Sequence, residues 1–236
     1  MPTSWLEVVS RGSDDEPRAT IEPASVPQSV VFAHNVLRPT REFNVRSRLR
    51  IGDHIEYACF TATYVAPSLL PGGGDGLFTV ERLLPFTWIG FYPGKVVKNM
   101  DDKKQVHTMG CEECCAYITA DSTYKAGLHM INEAGRDGVA NVWYAKLRCG
   151  YVLFFVGREV HAGEELLTCY SRSYKRSYPI ATKCADPRCE SCADEPHRLG
   201  SAMRDEWRQP LLDRMPSSVK LPPRVRAAEL FKCRTL

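Results

Sequence analysis

The strongest apolar patterning in the chain lies between Leu128 and Tyr170. Two runs there, Val142-Trp143-Tyr144 and Tyr151-Val152-Leu153-Phe154-Phe155-Val156, are built of β-branched and aromatic residues, which fit a pleated surface. Leu147-Arg148-Cys149-Gly150 separates the runs and predicts a hairpin turn. Upstream, Ile131-Asn132 borders a loop of small, charged and glycine residues, Glu133 to Gly138, that leads to Asn141. Downstream, Gly163 to Tyr170 predicts a turn, a short strand and a terminal tyrosine. Elsewhere the apolar runs are brief. Val30-Val31-Phe32 and Ile55 to Phe60 read as strands or buried segments, and Pro67 to Phe78 as a glycine-rich turn. Helical-looking stretches sit in the tail, over Ala202 to Trp207 and Val225 to Lys232, with Pro210 and Pro222-Pro223 interrupting them.

Composition bounds this picture. A chain of 236 residues buries a real core as one domain with appendages or as two small ones. Met1 to Gln28 is rich in proline and charge and predicts a disordered or draped tail. A β extension over 29–66, a central domain over 67–180 and a cysteine-rich segment with a C-terminal tail over 181–236 follow. Hydrophobic content of 44% with 25% charged residues is that of a soluble globular protein. The start lacks the basic and apolar stretches of a secretory signal. Tyr151 to Val156 is far too short to span a bilayer, so no membrane partner is expected.

Charge and cysteines add two features. Arg38, Arg41, Arg46, Arg48 and Arg50 cluster, but the net charge of +3 is small and no aromatic residues alternate with them. A solvated face on an edge strand is the expectation, with direct nucleic-acid binding disfavoured. Ten cysteines without a signal point to reduced thiols, some of them on metal. Cys184, Cys189, Cys192 and His197 fall within fourteen residues in a proline- and charge-rich segment. Soft ligands this close, where core residues are few, predict a structural zinc site. Redox-active or inert thiols are the alternatives. Cys111 or Cys114 is an alternative fourth ligand, and Cys111, Cys114 and Cys115 can equally pack as apolar side chains.

The order of several motifs carries more. Gly74-Asp75-Gly76-Leu77 is no dinucleotide fingerprint, since no long helix follows it. It is followed by Gly90-x-Tyr92-x-Gly94, by Asn132, and by Gly163-Glu164-Glu165-Leu166 with Tyr170 after it. That order, over about Pro67 to Tyr178, resembles the SET domain, the fold of protein-lysine methyltransferases, and is closest in wording to its PR/SET branch. The resemblance implies a mainly-β α+β fold of several small sheets. It also implies an S-adenosylmethionine site at Gly74, Asp75, Gly76, Leu77, Tyr92, Asn132 and Glu133. A substrate lysine, from a histone tail or another chromatin-associated protein, would enter a channel past Thr168 to a catalytic Tyr170. Nuclear localisation and chromatin-complex partners follow from the same resemblance, as does a zinc segment placed after the domain. The family's usual histidine after the asparagine is Glu133 here, its aspartate before the tyrosine is Cys169, and its cysteine three beyond the asparagine is Gly135. PR-type members depart at such points too. The second reading is therefore a catalytically silent module of the same fold that scaffolds a complex or binds a peptide.

Overall fold

A computed structural model describes residues 36–98, 108–111, 116–120, 127–134, 140–147, 149–170, 205–223 and 225–231. The predicted zinc ligands Cys184, Cys189, Cys192 and His197, the Val30-Val31-Phe32 run, and Cys114 and Cys115 lie outside these residues. The described chain is mainly β, as the resemblance implies. It forms several small sheets, with two α-helices among the described residues.

Its centre is a four-stranded antiparallel sheet. The predicted hairpin supplies two of its strands, β12 (Val142–Lys146) and β13 (Val152–Val156), paired from Val142 with Val156 to Lys146 with Val152. Gly150 closes the turn at φ +96°, where a side chain would be strained. All five residues of β13 are buried, which explains their unbroken apolar run: the strand is covered on both faces. β7 (Trp88–Phe91) lies against β13, and β4 (Ala58–Cys59) against β7. Gly90 makes this possible. A Cβ there would stand 2.1 Å from the Ala58 carbonyl oxygen, so the two backbones approach only because position 90 has no side chain. Phe91 then meets Phe43, Phe60 and Tyr151 at ring centroid distances of 5.2, 5.5 and 5.0 Å, an aromatic core.

Three smaller pairings surround this sheet. β5 (Thr63–Pro67) and β6 (Asp75–Thr79) form a hairpin around the glycine turn, with β1 (Val36–Leu37) on the far side of β5. β3 (His54–Ile55), β8 (Gly94–Val97), β10 (Ala116–Thr119) and β9 (Thr108–Cys111) make a second four-stranded sheet. β11 (Asn132–Glu133) and β14 (Leu167–Thr168) pair in parallel. The Ile55 to Phe60 segment, expected as a strand or buried segment, supplies two short strands in different sheets, with Glu56 and Tyr57 between them: β3 pairs with β8 and β4 with β7.

The C-terminal tail folds back onto the core. β15 (Val219–Lys220) pairs in parallel with β2 (Phe43–Asn44). Helix α1 (Asp205–Asp213) runs through Pro210 instead of ending before it. Proline removes one N–H from the helix ladder, and tertiary contacts on both sides of it hold the turn. Trp207 stacks on Trp143 at 5.0 Å, and Trp88 Nε1 donates to the Leu211 carbonyl at 2.8 Å. Helix α2 (Ala227–Leu230) leads to Phe231, which meets Trp88 edge-on. The tail therefore covers Trp88 and Trp143. Trp207→Ala is expected to lower unfolding free energy by about 3–5 kcal/mol, read by urea denaturation; an unchanged midpoint would show that the tail does not stabilise the core.

Candidate functional site

The glycine turn, the Asn132 segment and the Gly163–Tyr170 segment are far apart in sequence, and they meet at one buried side chain. Glu165 is 4% exposed. Its Oε1 accepts from Ser68 Oγ at 2.7 Å and from Asn132 Nδ2 at 3.2 Å, and its Oε2 accepts from the Leu69 amide at 2.9 Å. Asn132 Nδ2 also donates to the Asp75 carbonyl at 3.0 Å. A buried carboxylate loses water, and here three polar donors replace it. Gly76 completes the arrangement. A Cβ at that position would lie 2.3 Å from Glu165 Oε1, so the second glycine of the motif is required by a neighbouring carboxylate. Backbone bonds extend the contact: the Leu166 amide donates to Leu77 O at 2.7 Å and the Thr79 amide to Glu164 O at 3.2 Å.

Asn141 braces the same segment from the other side. It is fully buried. Its Nδ2 donates to the Glu165 carbonyl at 2.8 Å and to Glu164 Oε1 at 3.1 Å, while its Oδ1 accepts from the Leu167 amide at 2.8 Å. A buried amide whose donors and acceptor are used this way fixes a unique backbone path. The parallel register sets Asn132 opposite Leu167 and Glu133 opposite Thr168.

Tyr170 emerges directly from this pairing. Its hydroxyl donates to the Ile131 carbonyl at 2.9 Å, and its amide donates to Glu133 Oε1 at 3.2 Å. The hydroxyl's one hydrogen is thus placed on backbone. Thr168 is 3% exposed, and Cys169 lies against Ala140 and Ala134.

The structure brings Gly74, Asp75, Gly76, Leu77, Asn132, Glu133, Thr168 and Tyr170 to one locality through these contacts. Gly74 and Asp75 are exposed, Gly76 and Leu77 buried, and Asn132, Glu133 and Tyr170 half-buried. Tyr92 lies just past the end of β7, an inner strand of the central sheet, with its amide donating to the Val152 carbonyl at 2.9 Å. It is buried, with its ring stacked on Phe154 at 6.0 Å. The Glu165 and Ser68 contact was not legible as a pair from the sequence, since no spacing rule links positions ninety-seven residues apart. Among the described residues no group of three or more His, Cys, Asp or Glu side chains is placed to hold a metal ion.

No family model and no curated protein matches the chain. Solved structures do. A candidate histone methyltransferase of Plasmodium falciparum matches with 15% identity and a TM-score of 0.37, over 48% of this chain and 95% of that one. A humanised mutant of the Chaetomium thermophilum Polycomb Repressive Complex 2, bound to an inhibitor, matches with 18% identity and a TM-score of 0.40 over 49% of this chain. The same complex in an autoinhibited conformation, bound to S-adenosylmethionine, gives 18% identity and a TM-score of 0.36 over 48%. The matched region spans 16% of each of those two longer chains. At these identities and TM-scores the likeness assigns no activity.

Glu164 gives the site a pH signature. Burial pushes its carboxyl up, but the His161 amide, Asn141 and the Arg158 guanidinium outweigh that and hold it below its usual value of 4.5. A depressed carboxyl pKa contributes stability above the unfolded-state value, and the contribution fades as pH falls through the folded value. Glu164→Gln is expected to lose about 1–3 kcal/mol at neutral pH, with the deficit shrinking below about pH 4. Denaturation at the two pH values checks this, and a deficit equal at both would contradict it.

Proposed function

We propose that the chain is an S-adenosylmethionine-dependent protein-lysine N-methyltransferase acting on a histone or another chromatin-associated protein in the nucleus. The observation that carries the reading is the convergence at Asn132. This side chain joins the glycine turn at Asp75 O and the Gly163–Tyr170 segment at Glu165, while Ile131 beside it receives the Tyr170 hydroxyl. The three motif pieces thus form one constellation.

The residues present suit the cofactor. Gly74 has φ +64° and open space where a Cβ would be, so a ligand can approach the peptide groups of this exposed turn. Asn132 Oδ1 accepts no hydrogen bond from the described residues and can receive an ammonium. Gly74, Asp75, Asn132 and Glu133 would hold the cofactor, with Gly76 and Leu77 behind them, and Tyr92 would line the pocket. When bound, the cofactor supplies an activated methyl on a sulfonium. The remaining tasks fall to the protein. Tyr170, its hydrogen on Ile131 O, accepts an N–H of the substrate amine and aligns the nitrogen. A dry channel past Thr168 favours the neutral amine, because burial lowers a lysine pKa.

A specific observation favours the second reading, a non-catalytic scaffold. Glu133 puts a carboxylate beside this constellation, bonded to the Tyr170 amide, where a turnover site that must attract an uncharged amine gains nothing from negative charge. One experiment separates the two. With labelled cofactor and a panel of histone and nuclear-extract substrates, Tyr170→Phe is expected to lose about 10²- to 10⁴-fold in rate while cofactor affinity stays within a small factor. Thr168→Phe is expected to reduce the number of methyls added without abolishing transfer. Equal signal from wild type and Tyr170→Phe, or none from either despite cofactor binding, would support the scaffold.

A further inference from the structure

The five arginines between positions 38 and 50 have no part in the proposed reaction. The same stretch contains one acidic residue, Glu42, so its positive excess is larger than the +3 net charge of the whole chain. The small overall charge therefore conceals a concentrated patch. All five arginines are exposed. Among the described residues only Arg46 is paired, with Asp53 Oδ1 at 2.7 Å, and Asp53 Oδ2 is taken by the Arg50 amide at 2.7 Å. Arg38, Arg41, Arg48 and Arg50 have no carboxylate partner among the described residues.

The segment that displays them is fixed. Val45 and Leu49 are 4% and 3% exposed and anchor it in the core. The Val45 amide donates to Lys220 O at 2.9 Å, the Leu49 amide to Cys149 O at 2.8 Å, and the Arg46 amide to the Tyr151 hydroxyl at 3.3 Å. The patch also extends sideways. Lys220 is exposed and pairs in register with Asn44, and Lys95 is exposed and pairs with the exposed His54. Exposed arginines on a backbone held this firmly, four of them without a carboxylate partner among the described residues, present positive charge on an open surface and not in a closed pocket.

We propose that this face binds the phosphate backbone of a nucleic-acid duplex without reading its sequence. Guanidinium is the side chain suited to phosphate oxygens, and contacts of this kind position a protein on a duplex without specifying bases. Phe43, the aromatic residue within the stretch, is half-buried against Phe60, Phe91 and Tyr151. With no exposed ring among residues 38–50 for bases to stack on, the arginine stretch suits a duplex and not a single strand. An acidic protein is less well matched. The exposed large apolar residue here is Ile51, 59% exposed at the tip of the Arg50–Asp53 turn, and one such side chain does not make the apolar centre of a protein interface. The inference does not rest on methyl transfer.

The test is fluorescence anisotropy of a labelled mixed-sequence DNA duplex titrated with the full chain, with a single strand and polyglutamate as parallel probes. Binding is expected at low salt and to weaken roughly 150- to 500-fold between 50 and 200 mM, as four or five neutralised phosphates require. The triple variant Arg41→Gln, Arg48→Gln, Arg50→Gln is expected to lose at least about tenfold in affinity, with its salt slope reduced by about three. Its melting temperature should stay at the wild-type value, since these side chains are exposed and unpaired. Absence of duplex binding, wild-type binding by the variant, or tighter binding of the single strand or of polyglutamate would each overturn the proposal.

Discussion

The Glu165 carboxylate is the contact on which the rest of the candidate site depends. It is buried among the Ser68 hydroxyl, the Leu69 amide and the Asn132 amide. An uncompensated carboxylate in such a place would cost several kcal/mol, so the loop over 68–76 and the Asn132 strand are held where their donors can reach it. The constraint works in both directions. The carboxylate needs the donors, and the space it occupies needs Gly76 to lack a side chain. A glycine turn with high intrinsic freedom is thereby fixed to a two-residue strand that has little stability of its own.

Geometry at Tyr170 follows from that fixation. Asn141 locks the backbone at Leu167, the parallel pair aligns Thr168 with Glu133, and two residues later the Tyr170 ring reaches back to Ile131. Each step uses main-chain groups as one partner. The side chain at 169 can therefore vary without displacing the tyrosine, because a peptide carbonyl is present whatever residue carries it, whereas Glu133 adds a side-chain contact to the Tyr170 amide. The same logic explains why Gly90 matters to the central sheet: its constraint is backbone contact with Ala58.

What could be read from the sequence divides along the same physical line. The hairpin of Val142–Lys146 and Val152–Val156 was legible because Val142-Trp143-Tyr144 and Tyr151 to Val156 are apolar runs and the turn between them ends in glycine. The proximity of Gly74–Leu77, Asn132 and Tyr170 was legible from motif order, and the contacts among Asp75, Asn132, Ile131 and Tyr170 place them together. The β11–β14 pair was not, since two residues show no periodicity. Nor was the course of α1 through Pro210, where local propensity predicts a stop and the docking of Trp207 and Leu211 on the core overrides it. The glycines at 76 and 90 are visible in the sequence as parts of two motifs. The neighbours that fill their space are Glu165 and Ala58, which only the folded chain reveals.

The most direct test of this account is calorimetric titration of S-adenosylmethionine into the wild-type chain and into Glu165→Gln. Glutamine keeps the shape but turns one acceptor into a donor, so it faces at least one of the Leu69 and Asn132 donors with another donor. If the carboxylate organises a cofactor site, wild type binds one equivalent and the variant binds at least about tenfold more weakly, a difference of roughly 1.4 kcal/mol, while remaining folded by circular dichroism. No heat from the wild-type titration, or equal affinity in the folded variant, would contradict it.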